Sequence, residues 1–74
     1  MAKKAESEDV GYVYRAIREY PGETLDEITQ PLGYDPDIVR DAIVGLLASG
    51  VIVKDRHVDA PDCHYTAAII RKRR

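Results

Sequence analysis

The stretch TLDEITQPLGYDPDIVRDAIVGLLASGVIV, Thr24 to Val53, decides how the rest of this chain is read. Thr24-Leu25-Asp26-Glu27 is a capping box, in which the threonine hydroxyl accepts from the amide of Glu27 and the glutamate carboxylate reaches back. Leu25, Ile28 and Leu32 then fall on one helical face. Pro31 lacks the amide that would bond the carbonyl of Glu27, so the spacing predicts a helix that is short or kinked around Thr29–Gln30. Gly33 supplies a left-handed stop. Asp35-Pro36 opens a longer helix, with an Asx N-cap followed by proline where no amide is needed. Val39, Ile43, Leu46 and Leu47 form its buried stripe as far as Ser49, and Gly50 closes it. Val51-Ile52-Val53 is β-branched and reads as a strand.

On the N-terminal side, Val10, Val13, Tyr14, Ile17 and Tyr20 recur at helical spacing. Ser7 is the expected N-cap, and Glu8 and Asp9 suit the positive end of the helix dipole. Pro21-Gly22 ends this first helix. On the C-terminal side, His64-Tyr65-Thr66 through Ile70 reads as the return strand of a hairpin whose loop is Asp55–Asp62, bending at Ala60-Pro61-Asp62. The expectation is one mostly α, α+β domain over residues 7–70, with three helices and a C-terminal β-hairpin. Residues 1–6 form a polar, frayed lead-in, and residues 71–74 a basic tail.

At 74 residues, with neither tryptophan nor phenylalanine, the chain must build its core from aliphatic side chains and some of its five tyrosines. A single cysteine cannot form an internal disulfide, which points to a reducing cytoplasm, and no apolar run is long enough to cross a bilayer. Net charge is −2 but unevenly spread. Residues 1–50 carry five basic side chains against ten carboxylates, giving −5, whereas residues 51–74 carry six against three, giving +3. That asymmetry leaves a cationic end able to meet an anion. No nucleophile sits beside a base and no glycine-rich phosphate loop is present, so neither an enzyme nor a cofactor is expected.

The runs Leu25-Asp26-Glu27-Ile28, Leu32-Gly33-Tyr34-Asp35, Val39-Arg40-Asp41-Ala42-Ile43 and Leu46-Leu47-Ala48-Ser49-Gly50-Val51-Ile52 resemble the winged helix-turn-helix transcriptional regulators of bacteria and archaea. Tyr65-Thr66 sits where that family often ends the second wing strand. The resemblance spans roughly residues 8 to 70. It implies a winged-helix fold, a recognition helix at Pro36–Ser49, a wing at Val51–Ile70 and binding to double-stranded DNA. A homodimer is also expected, because so small a monomer with few base-reading side chains would hold DNA weakly.

With the aliphatic stripe turned inward, the outward face of that helix carries Asp37, Arg40, Asp41, Val44, Gly45 and Ala48, with Ile38 at its edge. Arg40 is its one side chain suited to a guanine edge. Lys54, Arg56 and His57 on the hairpin and Arg71, Lys72, Arg73 and Arg74 in the tail complete the candidate nucleic-acid contacts. Against them, Asp35, Asp37 and Asp41 leave the helix with a local charge of −2, which would repel phosphates. The alternative is a protein-interaction module, or small subunit of a larger assembly, whose partner surface is Ile38, Asp41, Val44, Gly45 and Ala48. His57, Asp59, Asp62, Cys63 and His64 are metal-ligand types, yet strand alternation sends Cys63 and His64 to opposite faces, so a solvated wing tip is expected in place of a metal site. Helical spacing places Tyr14 and Tyr20 near the core and Tyr12 on the outer face, as a dimer contact.

Overall fold

The computed structural model describes residues 4–68, and they form an α+β domain dominated by its helices. In order these are α1 (Ser7–Glu19), β1 (Glu23–Thr24), α2 (Leu25–Leu32), α3 (Pro36–Ser49), β2 (Ile52–Lys54) and β3 (His64–Ala67). The three strands make one antiparallel sheet in the order β1-β3-β2. Ile69, Ile70 and the tail at 71–74 lie outside the described residues.

Local signals place the helix ends, with one shift. The first cap is Glu6, not Ser7: Glu6 and Asp9 form the reciprocal capping box, the Glu6 amide donating to Asp9 Oδ2 at 3.0 Å. A carboxylate at this position does what a serine hydroxyl would do one residue later. At α2 the capping box matches the expectation, with the Thr24 amide 2.9 Å from Glu27 Oε1 and the Glu27 amide 3.4 Å from Thr24 Oγ1. Despite Pro31, α2 keeps helical geometry to Leu32, but it is only eight residues long. Asp35 Oδ1 accepts from the Asp37 amide at 2.9 Å, and Pro36 follows at the first helical position. Gly33 and Gly50 end α2 and α3 with φ of +68° and +77°. A Cβ at either would meet no atom within 4 Å, so backbone conformation rather than space calls for glycine there.

The core joins Val13 and Ile17 of α1, Ile28 of α2, Val39, Ala42, Ile43 and Leu46 of α3, and Ile52, Cys63 and Tyr65 from the hairpin. Within α3 the fully buried set is therefore 39, 42, 43 and 46, the i, i+3, i+4, i+7 pattern. Leu47, expected in the stripe, sits at its margin, and Ala42 takes the inner place. Tyr65 is the largest buried side chain and fills the volume that phenylalanine or tryptophan would occupy elsewhere. Burial, then the neighbouring Cys63 thiol, pushes its hydroxyl well above the ordinary tyrosine range, so it stays protonated. Tyr20, expected near the core, is instead 57% exposed, because the chain leaves helical geometry at that residue as it caps α1.

Strand β1 has no counterpart in the sequence reading. Glu23 and Thr24 pair with Tyr65 and His64, and the Gly22 amide donates to the Tyr65 carbonyl at 2.8 Å. Thr24 is thus both the last residue of a strand and the N-cap of a helix. Two residues carry no alternation that could announce them, and only the arrival of β3 makes them a strand.

The inward set of α3 can be checked by urea denaturation. Ile43→Ala should cost about 3 kcal/mol, the usual scale for emptying a fully buried aliphatic site. Val44→Ala, one position along, should stay within about 0.5 kcal/mol.

Candidate nucleic-acid interface

Packing α3 through Val39, Ala42, Ile43 and Leu46 turns Asp37, Arg40, Asp41, Val44, Gly45 and Ala48 to solvent, while Ile38 is half-buried at the edge. The acidic residues on this face have structural roles. Asp37 lies in the first turn, where the helix dipole favours a carboxylate. Asp41 Oδ2 accepts from the Ala5 amide at 2.8 Å, drawing the lead-in across α3. As a partner-binding residue Asp41 is therefore already engaged.

The hairpin loop comes back to this same face. Arg40 Nη2 on α3 forms an ion pair and hydrogen bond with Asp59 Oδ1 at the loop, both side chains remaining at least half exposed. Leu25 and Asp26 at the start of α2, Arg40, and the loop residues Val58 to Pro61 enclose a shallow cleft. Exposed α3 and hairpin tip thus share one surface, although Arg40 and Asp59 stand nineteen positions apart in the chain.

The other basic side chains of the hairpin are also engaged locally. Lys54 Nζ donates to the Arg56 carbonyl at 3.2 Å, and Arg56 Nε lies 3.4 Å from Asp62 Oδ2. His57 Nδ1 accepts from the Asp59 amide at 3.2 Å. Such exposed pairs contribute little to stability and exchange readily with other anions. Below them the loop is set by backbone bonds, Ala60 N–H to His57 O at 2.9 Å and Cys63 N–H to Ala60 O at 3.1 Å. At its neck Asp55 is bound twice by His64, through the backbone amide to Oδ1 at 2.8 Å and between Nδ1 and Oδ2 at 3.1 Å. The amide bond is the chief reason that the Asp55 carboxyl is held below the usual carboxylate range.

Cys63 points into the core and is 1% exposed, its thiol 3.3 Å from the Arg56 carbonyl, whereas the His64 side chain is 44% exposed on the other face. Among the described residues no three His, Cys, Asp or Glu side chains converge as a metal-ligand set. Nor is any helix among them long and apolar enough to cross a membrane. The candidate contacts Arg71, Lys72, Arg73 and Arg74 lie outside the described residues. Sequence reasoning misses Asp59 as the partner of Arg40. No local pattern could have found it, because the pairing depends on where a loop returns. No family model, curated protein or solved structure matches this chain.

Asp55 yields a signed pH dependence. Its folded-state pKa is lowered, so its contribution is complete above the ordinary carboxylate value and is lost as pH falls through the lowered one. The His64 amide, followed by NMR, should lose protection from exchange below about pH 4. Asp55→Asn should remove that acid dependence of the neck.

Proposed function

We propose that this chain is a winged helix-turn-helix domain that binds double-stranded DNA as a small transcriptional regulator, with α3 as the recognition helix and the β2–β3 hairpin as the wing. The element order α1-β1-α2-α3-β2-β3 and the sheet order β1-β3-β2 support this reading, since both attach the hairpin directly behind α3. The single observation that carries it is the Arg40–Asp59 contact, which joins the exposed face of α3 to the hairpin tip in one continuous surface. A helix and a flanking loop on one side match the major groove and the adjacent backbone of a duplex.

The electrostatics define how such binding would work. Arg40 is neutralised by Asp59 in the free protein, so a phosphate or guanine edge must displace a carboxylate to engage it. Asp37 and Asp41 oppose close approach of the backbone. Lys54, Arg56, His57 and the tail Arg71–Arg74 are then the attractive elements, and non-specific affinity is governed by them. Binding of this type is weak at physiological salt and steeply salt-dependent.

A second reading is a winged-helix module that binds protein, and one observation favours it. Val44 is 48% exposed and is continued by Gly45 and Ala48, making a smooth apolar strip on the same face. A partner helix would bury that strip without meeting phosphate charge.

Titration with random-sequence duplex at two ionic strengths separates the two. For DNA binding, the slope of log K against log salt should be steep. Deleting Arg71–Arg74 should reduce its magnitude by roughly two to three, at about 0.9 for each phosphate that is no longer neutralised. Asp59→Asn, which frees Arg40 and removes a like charge, should tighten binding about two- to fivefold, while Arg40→Ala weakens it. No binding to duplex at low salt, together with loss of a partner complex in Val44→Glu, would decide for the protein module.

A further inference from the structure

Two neighbouring residues of α3 bind segments from opposite ends of the chain. Arg40 holds the hairpin through Asp59, and Asp41 accepts from the Ala5 amide of the lead-in, 36 positions away. Successive helical residues point about 100° apart, so the two segments reach α3 from different sides. By the same rotation Val44, Asp37 and Ala48, all exposed, form the open strip between them. The lead-in is fixed at more than one point. Ala5 is half-buried against the core, and the next amide, that of Glu6, donates to Asp9 Oδ2 at 3.0 Å. Two consecutive backbone amides are thus bound to carboxylates. Lys4, which is exposed, stands immediately before them, on the Asp41 side of the strip.

We infer that Lys4 is a phosphate contact of the α3 surface, on the side opposite the hairpin; the inference rests on the reading of α3 as a recognition helix for duplex DNA. A helix in the major groove lies between the phosphates of two strands, so it is held best by cations on both sides. Lys54, Arg56 and His57 all belong to the hairpin, and Arg40 leans towards it. The one charged side chain that α3 itself puts on the lead-in side is Asp41, which repels a phosphate. Lys4 offsets that charge where it stands, and Asp41 in turn fixes the backbone from which Lys4 projects. Because Ala5 and Glu6 are already ordered in the free protein, the contact costs less conformational entropy than one from an unanchored lysine. An ammonium on a flexible stem acts as a point charge, so Lys4 adds affinity and orientation without base preference.

Duplex binding by the full chain across a range of ionic strength tests it. Lys4→Ala should weaken binding about three- to eightfold near 0.1 M salt and lower the magnitude of the log K against log salt slope by about 0.9, the share of one phosphate. Arg15→Glu, a larger charge change at an exposed position on α1, should alter the slope less, which separates a local contact from net charge. Asp41→Asn keeps an acceptor for the Ala5 amide and Asp41→Ala does not, whereas both remove the carboxylate charge. Lys4→Ala should therefore weaken the Asp41→Asn protein as much as the wild type, and the Asp41→Ala protein by less than about twofold. If the full chain binds no duplex even at low salt, the recognition-helix reading falls and the inference falls with it. If it binds, three results would each overturn the inference alone: affinity and slope unchanged in Lys4→Ala, an equal loss of slope in Arg15→Glu, or equal effects of Lys4→Ala in the two Asp41 backgrounds.

Discussion

The rotational setting of α3 governs everything else in this domain. Val39, Ala42, Ile43 and Leu46 face α1, α2 and the sheet, and burying that stripe is the main way so small a chain recovers the entropy lost on ordering. Turning α3 by one residue would bring Arg40, Val44 and Leu47 inward and carry Val39, Ala42 and Leu46 out, exchanging a complete apolar face for one interrupted by Arg40. The helix has no comparable alternative. Its outward surface, including the direction in which Arg40 leaves it, follows from that burial.

A second constraint comes from Tyr65. Without phenylalanine or tryptophan, the hairpin contributes its one large ring to the core through β3, and Cys63 and Ile52 lie with it. The same strand receives β1 on one edge and β2 on the other. The hairpin is thus fastened at its base by core packing and the Asp55–His64 bonds, whereas its tip carries exposed ion pairs that solvent and ligands can exchange.

Charge follows a different logic from packing. Asp35 and Asp37 stabilise the start of α3, Asp41 fixes the lead-in, and Asp59 holds Arg40. Each serves the free fold, and under the proposed reading a ligand of Arg40 would have to displace Asp59.

The helices and their ends are legible in the residues themselves, because caps, proline positions and apolar periodicity act within a few residues of one another. Thr24–Glu27, Asp35-Pro36 and the glycines at 33 and 50 specify boundaries whatever surrounds them, and the alternation at Cys63 and His64 is enough to place them on opposite faces. Reading by neighbours falls short where distant segments meet. Glu23–Thr24 becomes a strand only because β3 lies beside it, Tyr20 is left outside by the turn that follows α1, and Asp59 finds Arg40 through the return of a loop. Ala42 has the right spacing for the stripe, but its small side chain carries a weak apolar signal. Local stereochemistry is written in neighbouring residues, but the choice of partner across a fold depends on how the elements pack, and only the folded chain decides it.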